Sequence, residues 1–193
     1  MKRNFRQYAF APIGNREAKL QVEKKVVEVL GELYGNYHPI LQVEQNDLDW
    51  LNSIGIDIGR QKNHDLCGLN DDYPVGRGIF IDEEGQFVVL VNLEDHIEIC
   101  MLPDKATSLF SSAIKFTKLI RAFDKLGFAN NSFLGNLSIS PANLGTAMQV
   151  SAKFNKVRGL TEEHRINIEK QHFVDLEIHA KQVNMTSKPC LAP

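Results

Sequence analysis

Cysteine and paired histidine are scarce in this sequence. The 193 residues include 3 cysteines, Cys67, Cys100 and Cys190, which are too few and too scattered for a disulfide framework or a zinc site. The 6 histidines form no pair at the spacing that lets one helix face bind a metal. The sequence therefore predicts reduced thiols in an intracellular protein and no metal site.

An excess of charge and a long apolar run are also missing. The formal net charge is -2, so no global field attracts the chain to nucleic acid or to an anionic membrane. No apolar run approaches the roughly 20 residues that a membrane-spanning helix needs. We expect no nucleic-acid partner, no membrane span and no secretory signal. Lys2, Arg3 and Arg6 precede any acidic residue, which leaves a short mitochondrial presequence open.

What is present is the composition of one globular domain. Hydrophobic residues make up 43% of the chain and charged residues 24%, and the length allows a sizeable core. Residues 1–14 have no clear period and predict an irregular N-terminal arm. Residues 15–183 form the predicted domain, and residues 184–193 a flexible tail.

Apolar residues at three- and four-residue spacing predict the helices. The first helix begins at the N-cap Asn15 and stops at Gly35, and a shorter one runs from Asn46 to Ser53. A third covers about Ala106 to Leu126 and has a basic outer face, which is typical of a solvated surface or of contact with acidic partners. That face consists of Lys115, Lys118, Arg121 and Lys125.

Segments rich in β-branched and aromatic residues predict the strands. Gly78 to Asp82 and Phe87 to Asn92 form a hairpin, and Ile97 to Leu102 a third strand, after a loop over residues 55–76. The later segments are less regular: we expect strands over 134–140, 146–154 and 173–183, and a helix or loop over 161–171. The fold class is therefore α/β of the α+β type, with a mainly antiparallel sheet flanked by helices.

Three segments together resemble a known family. They are a helix from Gly14 that leads to Tyr37-His38-Pro39, the hairpin from Arg77-Gly78-Ile79 to Asn92-Leu93-Glu94-Asp95-His96, and Ser140-Pro141-Ala142-Asn143-Leu144-Gly145-Thr146. They are similar to the C-terminal catalytic domain of the phosphagen (ATP:guanidino) kinases, in particular to the arginine kinases. The resemblance covers roughly residues 14–160 and implies a truncated, degenerate catalytic domain without the family's helical N-terminal domain.

The chain after Phe154 can be aligned in two ways. In the first, Val157 to His164 resembles the arginine-kinase substrate loop, which places Glu163 and Arg158 in the site and requires a deletion of about one helix. In the second, Gly159 to Glu162 matches the start of the family's last long helix. The assignments of Glu163 and Arg158 rest on the first alignment.

The resemblance implies a carboxylate side and a phosphate side of a site. Glu94 and Glu163 are the candidates for binding a guanidinium, because carboxylates form charge-assisted hydrogen bonds with it. The family's phosphate-binding arginines are replaced by Glu98 and Gln149, which leaves Arg158 as the single nucleotide-binding candidate. Three further family residues also differ: Leu93 replaces a glutamate, Ser140 a cysteine and Lys153 a histidine.

These replacements predict loss of catalysis, since arginines contribute most of the charge stabilisation in phosphoryl transfer. We expect an inactive member of the family that serves as a structural or assembly subunit with other proteins, without ATP or Mg²⁺ as cofactors. Glu94, Asp95 and His96 would then be determinants of the fold or relics. The alternatives are an arginine-binding module without turnover, and a phosphotransferase completed by a partner chain. A ciliary axoneme or a mitochondrion is the expected setting.

Overall fold

A five-stranded antiparallel sheet forms the centre of the computed structural model, which describes residues 1–60, 65, 68–102, 109–155, 159–179 and 182–188. The strands in chain order are β1 (Lys2–Arg3), β2 (Gly35–Pro39), β3 (Gly78–Asp82), β4 (Phe87–Val91) and β5 (Ile97–Met101). Their order across the sheet is β1-β5-β4-β3-β2. The predicted antiparallel α+β class is confirmed, and the predicted arm supplies an edge strand.

Three helices flank this sheet: α1 (Arg16–Leu30), α2 (Gln45–Ser53) and α3 (Leu109–Asp124). The predicted N-cap of α1 is confirmed, because the side chain of Asn15 accepts a hydrogen bond of 2.9 Å from the backbone N–H of Ala18. The predicted stop at Gly35 is wrong, since α1 ends at Leu30 and Gly35 begins β2. The predicted start of α3 near Ala106 lies outside the described residues.

Both faces of the sheet are covered. On one face, α1 and α3 pack Val26 and Phe123 against Phe80 and Ile99. On the other face, Leu51 of α2 joins a cluster of sheet and loop residues. This second cluster consists of Ile40, Leu51, Ile58, Ile79, Val88 and Leu90. The alternating apolar residues of β3 and β4 therefore serve two cores, which is why all of β4 is buried.

A second, smaller sheet lies in the C-terminal part. It consists of β8 (Ser151–Asn155), β9 (Val174–Ile178) and β10 (Gln182–Ser187) in the order β8-β10-β9, with helix α4 (Glu162–His172) before β9. We call the described residues 1–147 the large unit and the described residues 148–188 the small unit. Of the two possibilities left open for 161–171, the helix is the correct one.

Several C-terminal predictions need correction. The strand predicted over 173–183 is two strands, because Phe173 has a left-handed φ of 52° and ends α4, and β9 stops at Ile178. The flexible tail predicted from residue 184 is wrong for residues 184–187, which pair with both β8 and β9. Residues 189–193 lie outside the described part.

The predicted strand over 134–140 is also mostly wrong. Its only paired residues are those of β7 (Gly135–Asn136), which forms a short hairpin with β6 (Asn130–Asn131). The strand predicted over 146–154 starts later, at Ser151. Short 3-10 helices occupy Ile40–Gln42 and Pro141–Asn143. Among the described residues, none of the helices has the length and apolar character to cross a bilayer.

Candidate functional site

The candidate site begins where β4 ends. Asn92 adopts a left-handed φ of 53°, which turns the chain sharply toward β5. Its buried side-chain amide donates hydrogen bonds to the carbonyl oxygens of Gly76, at 2.6 Å, and Lys19, at 2.9 Å. The amide thus ties the turn to α1 and to the segment that leads into β3. Asn92 therefore has a structural function that fixes the position of the residues after it.

Asp95 binds two distant segments together. Its carboxylate is 2% exposed and accepts hydrogen bonds from Asn4 Nδ2 at 2.5 Å, Ser138 Oγ at 2.6 Å and the backbone N–H of Ile139 at 2.9 Å. The three donors satisfy the hydrogen-bonding needs of this buried carboxylate. Asp95 therefore anchors the N-terminal segment on one side and the approach to Ser140 on the other.

His96 continues this anchoring. Its backbone N–H donates to Asn4 Oδ1 at 2.9 Å, and its Nδ1 accepts from the backbone N–H of Phe5 at 3.0 Å. Nε2 therefore carries the proton of the neutral ring and lies 3.4 Å from the carbonyl oxygen of Ala9. The ring also stacks on Phe5 with centroids 5.7 Å apart. Burial lowers the pKa of His96 to about 4, so the imidazole is neutral at physiological pH.

Glu94 is paired with a lysine of the same chain. Its Oε2 is in contact with Nζ of Lys2, and Glu98 Oε2 lies 3.7 Å from the same nitrogen. The pairing follows from the sheet, because Lys2 of β1 lies opposite Glu98 of β5. Burial alone would lower the pKa of Lys2, but attraction by Glu98 and the hydrogen bond to Glu94 raise it. Burial raises the pKa of Glu98, which Lys2 partly opposes.

A small pocket lies beside Glu94. Lys19, Arg77, Asn92, Glu94 and His96 contribute to its wall, and its volume is about 20 Å³. The pocket is partly open to solvent, and Glu94 contributes a carboxylate to its wall.

The Ser140 to Thr146 segment lies next to this turn. The Asn136 side chain donates to the Gly145 carbonyl oxygen at 3.1 Å, and the Gly145 N–H donates to the Asn136 carbonyl oxygen at 2.9 Å. Arg3 Nη1 donates to the Thr146 carbonyl oxygen at 2.9 Å. The two sequence motifs are therefore brought together, through Asp95 and through Arg3.

Two buried arginines lie near the site, and the sequence alone did not predict this position for either of them. Arg3 is 8% exposed, and its guanidinium lies 5.8 Å from the centre of the Phe128 ring. Arg77 is 3% exposed, lies 5.4 Å from the centre of the Tyr73 ring and donates to the carbonyl oxygens of Leu69 and Asp71. Arg77 directly precedes the predicted strand that begins at Gly78, but nothing in the sequence indicates that its partners are loop carbonyls.

The remaining predicted site residues lie elsewhere. Glu163 is exposed in the first turn of α4, and in the described part of the chain no hydrogen bond or ion pair joins it to Glu94. Gln149 is exposed before β8, and Arg158 lies outside the described residues. Helix α4 starts at Glu162 and strand β9 at Val174, and the choice between the two alignments stays a prediction.

One position that departs from the family pattern is used by the fold. Leu93 packs against the core cluster that contains Leu51 and Val88. An apolar side chain there contributes to the second core, where a carboxylate would be desolvated. Cys100 is a free thiol whose pKa burial raises to about 12, whereas Cys67 and Cys190 lie outside the described residues. Over the part of the chain that is described, no group of three metal-binding side chains occurs.

Comparisons with known proteins agree with this geometry. Residues 8–188 match the family model described as the ATP:guanido phosphotransferase C-terminal catalytic domain. An arginine kinase of Anthopleura japonica is 31% identical over 155 residues, which is 77% of this chain. A taurocyamine kinase of Schistosoma mansoni is 31% identical over 151 residues, which is 75% of this chain. The chain spans only 22% and 20% of the lengths of these two proteins.

The fold is similar to a solved structure of the same family. The duplicated taurocyamine kinase from Schistosoma mansoni, with bound transition state analog components, superposes with a TM-score of 0.86 at 25% identity. The similarity covers 100% of this chain and 29% of that one. The family model matches nearly the whole chain, and the fold is that of a solved member of the same family. This chain therefore belongs to the ATP:guanido phosphotransferase family and carries its C-terminal catalytic domain fold.

Proposed function

We propose that this chain is a catalytically inactive member of its family that serves as a structural subunit of a protein assembly. The observation that carries the proposal is the position of Lys2, whose ammonium group lies between Glu94 and Glu98. The family resemblance assigns to Glu94 the role of binding the guanidino group of a substrate. In this chain that carboxylate has an internal cation.

An internal ion pair competes with an external ligand for the same carboxylate. A guanidinium would have to displace the Lys2 ammonium group, which contacts Glu94 and lies 3.7 Å from Glu98 Oε2. This displacement costs free energy, and the new ion pair would only replace an existing one. This argues against the arginine-binding module as well as against turnover.

The phosphate side supports the same proposal. Glu98 stands where the resemblance expects an arginine, and its raised pKa reflects burial among other carboxylates. A phosphate oxygen about 4 Å from an ionised Glu98 would be repelled by roughly 4 kcal/mol at intermediate dielectric. Gln149 supplies no charge, and its side chain is exposed. We therefore propose that neither ATP nor Mg²⁺ is bound.

The structural role draws support from the surface. Large apolar side chains are exposed at Phe110, 75%, and Phe133, 92%. Exposed aromatic groups of this kind are typical of surfaces that contact other proteins. The intracellular setting, in a ciliary or a mitochondrial assembly, stays a prediction.

The test combines turnover with direct binding. The purified chain is incubated with arginine and MgATP, phosphoarginine is followed by ³¹P NMR, and each ligand is titrated by calorimetry. We expect no product and no heat of binding from either ligand. Product formation would overturn the inactive assignment. Arginine binding without nucleotide binding would favour the arginine-binding module instead.

A matched variant sharpens this experiment. Lys2→Met removes the internal cation, and Lys2→Arg retains it. If Lys2 is the competitor, weak arginine binding should appear in Lys2→Met and be absent from Lys2→Arg. Equal behaviour of the wild type and both variants would show that Lys2 is not what excludes the ligand.

A further inference from the structure

Helix α3 carries an unusual line of exposed side chains. Its members are Phe110, Ile114, Lys118, Arg121 and Lys125, the last of which follows the end of the helix. They recur at three- and four-residue spacing, so they share the face of α3 turned away from the sheet. We call this set the α3 stripe; it extends over roughly 20 Å.

We propose that the α3 stripe is the docking site for an acidic amphipathic helix of a protein partner. The inference rests on the proposed structural role and names the surface and the chemistry of the partner. The partner helix presents apolar side chains to Phe110 and Ile114, and carboxylates to Lys118, Arg121 and Lys125.

Among the described residues, the charges of the α3 stripe have no carboxylate counter-ions. In the described part of the protein, no carboxylate oxygen lies within 4.0 Å of a side-chain nitrogen of Lys118, Arg121 or Lys125. Asp124, the single carboxylate of α3, also lies beyond that distance. By contrast, the neighbouring Lys115 pairs with Glu84 at 3.0 Å. Three charges of one sign, with no carboxylate partner in the described part of the chain, form a positive surface that an acidic partner complements.

Helix α1, which covers the same face of the sheet, provides the comparison. Its exposed residues alternate in sign, as in Arg16, Glu17, Lys24 and Glu28, and Glu28 pairs with Lys25 at 2.7 Å. Such a surface is neutral over a short distance and is typical of a solvated helix. The single sign of the α3 stripe is therefore not a general property of the helices in this fold.

The apolar half of the α3 stripe needs a separate explanation. Cations near the C-terminus of a helix interact favourably with the helix dipole, which accounts in part for Arg121 and Lys125. The dipole gives no reason for Phe110 to be 75% exposed and Ile114 42% exposed at the start of the helix. Two apolar side chains one turn apart form the anchor that a partner helix requires.

The arrangement along the helix favours a protein over a lipid surface. A helix that lies in a membrane interface has an apolar face along its whole length, with basic residues on the opposite side. In the α3 stripe, apolar and basic residues share one face and are separated along the axis. A second helix with apolar residues at one end and acidic residues at the other matches this order.

The experiment uses the full chain and a designed probe. The probe is a labelled helical peptide of roughly 20 residues with two leucines at one end and three glutamates along the same face. Binding is measured by fluorescence anisotropy for the wild type and for a variant with Lys118→Glu, Arg121→Glu and Lys125→Glu. We expect the reversed variant to bind at least about tenfold more weakly, and a peptide with lysine in place of glutamate to restore its binding.

Two controls separate charge from location. Arg16→Glu and Lys24→Glu on α1 should leave the affinity within about twofold of the wild type, because those residues lie on another helix. Phe110→Ser should weaken binding about fivefold or more, since it removes the anchor. All substituted residues are exposed, so circular dichroism should show an unchanged fold.

Several results would overturn the proposal. They are equal affinity of the wild type and the reversed variant, absence of saturable peptide binding, and charge-dependent binding to phosphatidylserine vesicles without peptide binding. Turnover of arginine by the purified chain would contradict the structural role but leave the peptide result unchanged. Failure of one inference can therefore be told from failure of the other.

Discussion

The large unit and the small unit differ in how completely they are packed. In the large unit, Val22, Val26, Ile79 and Phe123 are completely buried, and helices or loops cover both faces of the sheet. In the small unit the best-buried apolar residues are Leu176 and Val183, each 7% exposed, and α4 has no buried residue. A segment with so few buried contacts opens at low free-energy cost.

The two units also differ in which residues of the candidate site they contain. Every anchored group of the candidate site, including Asp95, His96 and Arg3, belongs to the large unit, as does the α3 stripe. The small unit contains Glu163 and borders Arg158, which the resemblance assigns to the site. Site residues on a loosely packed unit are poorly positioned for catalysis, where a displacement of about 1 Å already costs much of the rate.

The largest effect is expected from removing a core side chain of the large unit. Phe123 is completely buried between α3 and the sheet. Phe123→Ala should lower the free energy of unfolding by roughly 3–5 kcal/mol, because it leaves a cavity in a well-packed core. Urea denaturation monitored by circular dichroism measures this. Phe133→Ala, at a side chain that is 92% exposed, is the control and should change stability by less than about 0.5 kcal/mol.

Acid should lower the free energy of unfolding of the large unit, because His96 becomes protonated more readily in the unfolded state. The folded-state pKa is about 4, below the usual value of 6.5, so the unfolded state binds the proton more readily between these values. The stability gained from the neutral ring is therefore complete above pH 6.5 and decreases as the pH falls toward 4. The full loss amounts to roughly 3 kcal/mol. Glu98 acts in the opposite sense, because its raised pKa favours protonation of the folded state.

The pH effect is tested by urea denaturation at several pH values between 4 and 7. His96→Asn should remove most of the slope, whereas His179→Asn, at an exposed position of the small unit, should leave it unchanged. A wild-type slope that survives in His96→Asn would assign the acid sensitivity to other groups.

A smaller and local effect is expected in the small unit. Leu176→Ala should cost roughly 2 kcal/mol, at the low end for a buried leucine, because the surrounding cluster is small. Hydrogen exchange should accelerate in β9 and β10 and stay unchanged in β3 and β4. Equal acceleration in both sheets would mean that the two units unfold together. That result would contradict the lower opening free energy of the small unit.

The smallest effect is expected at the edge of the large sheet. The side chain of Lys2 is 19% exposed, and its partners Glu94 and Glu98 are 21% and 28% exposed, so the pairs are partly solvated. Lys2→Met should lower stability by about 1 kcal/mol or less and raise the pKa of Glu98 further. Thermal unfolding and carboxyl NMR titration measure the two effects. Lys2→Arg should preserve both the stability and the pKa of Glu98.

Local pattern predicted much of the large unit. The spacing of Val22 and Val26 and the cap at Asn15 gave α1, and the hairpin of β3 and β4 followed from alternation and a tight turn. Strand β2 was missed because Gly35, Asn36 and Pro39 are poor strand formers. It exists because β3 offers an unpaired edge, with Tyr37 opposite Phe80.

The candidate site was only half predictable for the same reason. The motif around Glu94 was recognisable, but its partners Lys2, Asn4 and Ser138 are 92, 91 and 43 residues away from the residues that they bind. Hydrogen bonds between residues so far apart in the sequence leave no periodic pattern from which they could be predicted. The assignment of residues 184–187 to a tail failed similarly, since their strand depends on pairing with β8 and β9.

The pairing of β1 with β5 has a consequence for synthesis on the ribosome. Residues 2 and 3 are synthesised more than ninety residues before their partners Ile97 and Glu98. Until the sheet closes, the nascent strand Ile97–Met101 has an open edge and is rich in apolar side chains. Glu98 is its only charged residue, and a charge within such a strand opposes association with other chains. We therefore expect Glu98 to oppose aggregation of the unfinished protein, before Lys2 lies beside it in the folded one.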